Sequence, residues 1–124
     1  MDINKLSFEI INAAIMVHKE LGPGLLESVY QSCMFIELCD RKLRVESEVP
    51  LPVIYRGLKV CDQGFRLDLL VEELVVVELK SVDKVQAIHK KQLLTYLRLT
   101  GKPLGLLINF NEMKLVEGIT RIAF

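Results

Sequence analysis

Phe65-Arg66-Leu67-Asp68-Leu69-Leu70-Val71 and, after Glu72-Glu73-Leu74, Val75-Val76-Val77-Glu78-Leu79-Lys80-Ser81 are the stretch whose reading decides the fold. Both runs are rich in Leu and Val, apolar enough for the middle of a sheet. On a two-residue period Phe65, Leu67, Leu69 and Val71 point one way, and Arg66, Asp68 and Leu70 the other. In the second run Val76, Glu78 and Lys80 share a face opposite Val75, Val77, Leu79 and Ser81. Each strand therefore confines its charges to one face.

If the two strands pair antiparallel with paired positions summing to 146, Asp68 lies opposite Glu78 and Arg66 opposite Lys80. A slip of one residue would scatter the cluster over both faces. Carboxylates facing each other across a ladder repel, and burying them uncompensated costs several kcal/mol per ion. Lys80 offsets one charge and leaves the other. A divalent cation is the natural complement, and all-oxygen donors suit magnesium or manganese better than zinc. Acid-x-Lys on a strand is by itself an ordinary solvated face. Asp68, in a second apolar strand and on the matching face, is what raises the metal reading.

Outward from this pair, the chain reads as α/β. Lys5–Leu21 has helical spacing, with Phe8, Ile11, Ile15 and Leu21 as its apolar positions and Asn4 or Ser7 as its cap. Gly22-Pro23-Gly24 stops it. A second helix over Leu25–Arg41 turns Val29, Tyr30, Cys33, Met34 and Leu38 inward. Strands are expected over Val49–Tyr55 and Leu58–Cys61, with a turn at Arg56-Gly57 and a turn or bulge at Asp62-Gln63-Gly64. A third helix starts at Asp83 and ends at Gly101, and strands over Leu104–Asn109 and Ile119–Phe124 complete the chain. The order implies one domain over residues 1–124, a mixed sheet of four or more strands flanked by helices.

Composition narrows the class. With 51% hydrophobic and 26% charged residues the chain is globular, not disordered. Its longest apolar runs are far too short to span a bilayer, and Met1–Lys5 carries no secretory pattern. Three cysteines, Cys33, Cys39 and Cys61, without Cys-x-x-Cys spacing fit reduced thiols in the cytoplasm. Net charge is zero, yet residues 80–102 hold six basic residues against one acid, Asp83, and are locally +5. That segment is a solvated helix face or a polyanion-facing one.

Two further motifs turn this layout into a resemblance. Gly24-Leu25-Leu26-Glu27-Ser28-Val29-Tyr30 reads Gly-x-x-Glu-x-x-Tyr; with Phe65–Asp68, Glu78-Leu79-Lys80 and Gln92-Leu93-Leu94-Thr95-Tyr96 in order, the chain resembles the GxxExxY family of the PD-(D/E)XK nuclease superfamily. The resemblance implies a restriction-endonuclease-like core. It also implies Mg2+ or Mn2+ held by Asp68, Glu78 and the backbone carbonyl of Leu79, with Glu27 completing the acidic cluster directly or through water. Lys80 would orient the attacking water, and Gln92 and Tyr96 would face the site from the next helix. Leu67 stands where the superfamily name has proline, a departure of little weight. Without the resemblance Glu27 reads as a first-turn acid favoured by the helix dipole, Tyr96 as a core aromatic, and His89 as a helix residue within reach of a phosphate.

These residues point first to a metal-dependent nuclease acting on DNA, structure-directed or nonspecific because little chain is left for sequence recognition, and working alone or as a homodimer. The competing class is a nucleic-acid-binding or protein-interaction module that keeps the fold without turnover, which the zero net charge favours. No Walker-type phosphate loop occurs, since Gly22-Pro23-Gly24 has the wrong spacing and no Lys-Ser after it.

Overall fold

The computed structural model describes residues 1–61 and 64–124. A five-stranded mixed sheet runs in the order β1 (Val45–Pro50), β4 (Arg66–Val71), β5 (Val75–Lys80), β6 (Leu104–Asn109), β7 (Ile119–Ala123). Among the described residues only β5 and β6 pair in parallel. A parallel pair needs a crossover, and α3 (Ala87–Thr100) supplies it. Helices α1 (Ile3–Leu21) and α2 (Glu27–Asp40) cover one face, where Leu69, Val71, Val75, Val77 and Leu79 meet Leu6, Ile10, Tyr30 and Met34. On the other face Leu67, Leu70, Val76 and Leu107 meet Leu93, Tyr96 and Leu97 of α3. This is the restriction-endonuclease-like α/β layout expected from the sequence.

Strands β4 and β5 pair as Leu69–Val77, Leu70–Val76 and Val71–Val75, the register that sums to 146. The ladder ends one step short of Asp68 and Glu78, so Arg66 does not face Lys80 across it; Arg66 pairs instead with Pro50 of β1. Side-chain alternation also departs from the simple period. Leu69 belongs to the α1/α2 core, but Leu67, two residues away, belongs to the α3 core. The neighbouring strand explains the switch. Glu48 of β1 has φ 54 and is skipped in the register between Ser47–Leu69 and Val49–Leu67. A left-handed residue inside a strand re-aims the side chains beyond it, and Val45 and Val49 of β1 accordingly pack into opposite cores.

Other boundaries differ from expectation for local reasons. The single strand expected over Val49–Tyr55 is divided: β1 ends at Pro50, and β2 (Val53–Tyr55) pairs with β3 (Leu58–Cys61) as a separate ribbon. Two prolines around Leu51 remove ladder donors, and Leu51 N–H instead donates to Phe65 O at 2.9 Å. The Arg56-Gly57 turn forms, both residues at positive φ. Residues 62 and 63, and with them most of the expected Asp62-Gln63-Gly64 turn, lie outside the described residues. Helix α3 starts at Ala87, not Asp83, because Gln86 caps it and Gln86 N–H donates to His89 Nδ1 at 3.0 Å. That bond gives His89 a capping role. Asp2, not Asn4 or Ser7, caps α1 by accepting Asn4 N–H at 2.8 Å.

The inner stripe of α1 is Leu6, Ile10, Ala13, Ala14 and Val17, while Phe8 and Leu21 are exposed. Two apolar stripes share helical spacing, and the one carrying the small alanines packs inward. In α2, Tyr30, Met34 and Leu38 are buried as expected, but Val29 is exposed. Gly105 shows how tightly α3 lies on the sheet, since a Cβ there would stand 2.9 Å from Leu93. Among the described residues no helix is long and apolar enough to cross a membrane.

Candidate active site

Where the β4–β5 ladder stops, side chains take over its hydrogen bonds. Asp68 N–H donates to Glu78 Oε2 at 2.7 Å, and Leu79 N–H donates to Asp68 Oδ2 at 2.8 Å. Each carboxylate thus caps the partner strand and is held by it. The second oxygen of each has no hydrogen-bond partner among the described residues, where no fully buried side-chain nitrogen or oxygen lacks one. Those two oxygens therefore reach solvent, even though Glu78 as a residue is only 8% exposed.

Burial sets the electrostatics. It pushes the Glu78 carboxyl up to about 8, the charge of Asp68 adding to the rise, against the Asp68 N–H and Lys80, which pull it down. Asp68 is also raised, first by burial, while the Leu79 N–H and Lys80 lower it and Glu48 and Glu27 raise it. The two acids titrate as a pair that resists carrying two negative charges. Lys80 acts on both acids but belongs to none of the ion pairs of the described residues, which leaves its ammonium available to another anion.

Helix α2 brings Glu27 to the end of β5. Its Oε2 accepts Ser81 N–H at 3.2 Å, and Ser81 Oγ donates to Leu25 O at 2.6 Å. Tyr30 fixes this helix start: its hydroxyl donates to Gly22 O at 2.5 Å and accepts Leu25 N–H at 3.1 Å, and its ring stacks on Phe110 at 4.4 Å. From β6, buried Asn109 clamps the chain leaving Lys80, accepting Val82 N–H at 3.1 Å and donating to Val82 O at 2.9 Å. A hollow of about 710 Å³ opens beside Glu27, lined in part by Gly24, Ser28, Ser81 and Asn111. Neither acid of the pair lines it.

From α3, Tyr96 is buried against Leu67 and Val76, and burial, then the charges of Glu78 and Asp68, raise its hydroxyl. Gln92, one turn earlier, is exposed and lines a smaller hollow with Tyr96. Two residues join the site that sequence reasoning does not single out. Glu48, exposed on β1 opposite Asp68, adds a third negative charge felt by both acids. Gln31 holds the strand that carries Asp68, its Nε2 donating to Asp68 O at 3.3 Å and to Ser47 Oγ at 3.1 Å. Gln31 is four residues after Glu27 and so shares its helical face, a signal the sequence does contain.

The donor set fits a hard divalent cation. Two carboxylate oxygens are free, both belong to acids that burial makes reluctant to ionise, and a cation relieves that penalty. Among the described residues no three His, Cys, Asp or Glu side chains are gathered into a ready-made cage. Two carboxylates alone do not make an all-protein shell, and water would have to complete the coordination of such an ion.

Paired acids and a lysine thus stand at the open end of two central strands, on a mixed sheet between helices. Residues 4–122 match the PD-(D/E)XK nuclease superfamily, and the chain belongs to that family. No curated protein and no solved structure matches it. Members of this superfamily generally use divalent metal ions.

Proposed function

We propose that this protein is a metal-dependent nuclease of the GxxExxY type, hydrolysing phosphodiester bonds in DNA in a structure-directed or nonspecific way. The observation that carries the reading is the reciprocal bonding of Asp68 and Glu78, each with one oxygen left over, beside an ammonium engaged in no ion pair of the described residues. The leftover oxygens and the Leu79 carbonyl would hold Mg2+ or Mn2+, with Glu27 adding a contact directly or through water. When bound, such an ion polarises a phosphoryl oxygen and makes water a nucleophile near neutral pH.

The protein groups supply the rest. Lys80 orients the attacking water and donates to the phosphate as negative charge builds there. Tyr96 and Gln92 approach from α3, the tyrosine hydroxyl toward the acids and the amide at the rim. The basic residues of 80–102 attract the phosphate backbone. One domain carries the whole acid–lysine cluster, and a homodimer would lengthen the track available to a longer substrate. Reduced Cys33 and Cys39 suit work in the cytoplasm.

Cleavage of single-stranded, nicked and branched DNA in manganese tests the reading. Asp68→Ala is expected to abolish both cleavage and manganese binding seen by calorimetry. Equal cleavage by that variant assigns the activity to a contaminant, and absence of manganese binding in the parent protein favours a module without turnover.

A further inference from the structure

Along α3, a hollow of about 380 Å³, in the range of small-ligand sites, is lined by residues of that helix, by Val53 of β2 and by Phe65 just before β4. Its floor is apolar, from Ile88, Leu99 and the ring of Phe65, which meets Tyr96 edge-on at 6.5 Å between centroids. Lys91 and Gln92 stand at its rim. Arg98, seven residues after Lys91, lies two turns along the same side of the helix and is also exposed. None of the described residues lining it is acidic. Phe65 is 39% exposed although the strand it leads into is central. Tyr96 is common to the hollow and to the packing beneath Asp68 and Glu78.

We propose that this hollow receives an unstacked nucleobase of a single-stranded nucleic acid whose backbone passes the acid pair, the base lying on Phe65 and flanking phosphates meeting Lys91 and Arg98. The inference rests on the nuclease reading and adds its substrate class. An aromatic side chain binds any base through its π-face, cations beside it match the backbone, and Tyr96, which lines the hollow and feels the charges of Glu78 and Asp68, links it to the acid pair. In a duplex the bases are stacked and paired, out of reach of a side-chain platform recessed in the protein, so the hollow selects single strands, flaps or frayed ends.

Phe65→Trp in the full chain, which otherwise has no tryptophan, puts a reporter on the floor. A deoxythymidine oligonucleotide of about twelve residues, within the usual span of single-strand sites, is added in calcium to hold turnover. Quenching of tryptophan emission by this probe, and not by a blunt duplex, is the expected result. Phe65→Ala is expected to weaken the single strand roughly five- to hundred-fold by fluorescence anisotropy, with duplex binding and manganese affinity unchanged. Equal loss for single strand and duplex, or no loss, overturns the proposal. So does emission that tracks protein concentration and not probe, which would make the hollow a contact between two copies. Quenching without any manganese-dependent cleavage would keep the base site and remove the nuclease reading.

Discussion

The β4–β5 hairpin carries a pair of carboxylates at each end, and the two pairs are treated oppositely. At the closed end Glu72 accepts the Arg44 backbone N–H, and Glu73 forms an ion pair with the Arg44 guanidinium at 2.9 Å, both side chains of that ion pair more than half exposed. At the open end Asp68 and Glu78 accept only backbone N–H groups, lie at the edge of both cores and are joined by no cation in contact among the described residues. Solvent and arginine dispose of the first pair's charge. For the second, the backbone N–H groups and Lys80 pull the acids down, but burial outweighs them. A protein that only needed the hairpin could have filled the open end with two more valines, and a charge left unanswered in a low-dielectric place is what a binding or catalytic site looks like.

Lys80→Ala breaks the comparison hardest, because it removes the cation that acts on both acids of the open end. Cleavage in manganese is expected to fall by roughly 10²–10⁴-fold, the usual worth of a positioned proton-transfer group, while manganese affinity holds or rises as a repelling charge is lost. Cleavage and metal affinity falling together would mean that the lysine only supports the site.

Glu78→Gln comes next, since it keeps an acceptor for Asp68 N–H and removes the charge. In chelator, the parent protein's stability depends on pH through this group. Its folded-state value, about 8, exceeds the ordinary 4.5, so the stabilisation is complete below 4.5 and is lost as pH rises toward 8. Thermal unfolding across that window is expected to show a fall of a few kcal/mol in the parent and a shallower fall in the variant, where Asp68, itself raised by burial, still titrates. Manganese at about a hundred times its Kd adds about 2.7 kcal/mol, roughly 10 °C in Tm, to the parent and little to the variant. A parent profile that rises with pH would contradict the burial argument at its root.

The same physical terms decide how much of the molecule is legible in its sequence. The hairpin register can be read because two strands buried on both faces leave only one phase that keeps Asp68 and Glu78 together, and Leu69, Leu70 and Val71 pair in that phase. Glu48 cannot be read. Its place beside the acids comes from φ 54, a conformation no glutamate announces, and the same residue throws Leu67 out of the expected alternation. The start of α3 lies later than its sequence suggests because Gln86 caps through a histidine, outside the usual Ser, Thr, Asp and Asn. The inner face of α1 differs from expectation because Phe8 outweighs two alanines in hydrophobicity but not in closeness of packing.

The smallest expected effect lies at the closed end, and it decides whether location or charge count governs the hairpin. Glu73→Gln removes an ion pair between two mostly exposed side chains, an interaction worth about 0–1 kcal/mol and screened by salt. Tm is expected to move by a few degrees at most, the difference shrinking in about 1 M salt, where the screening length is near 3 Å. The pH profile in chelator and the manganese increment should match the parent's, because a charge at the solvent-washed turn adds little field at Glu78. If Glu73→Gln flattened the pH profile as Glu78→Gln does, the unusual carboxyl at the open end would be answering the hairpin's total negative charge. Its own burial would then not be the cause, and the contrast between the two ends would lose its meaning.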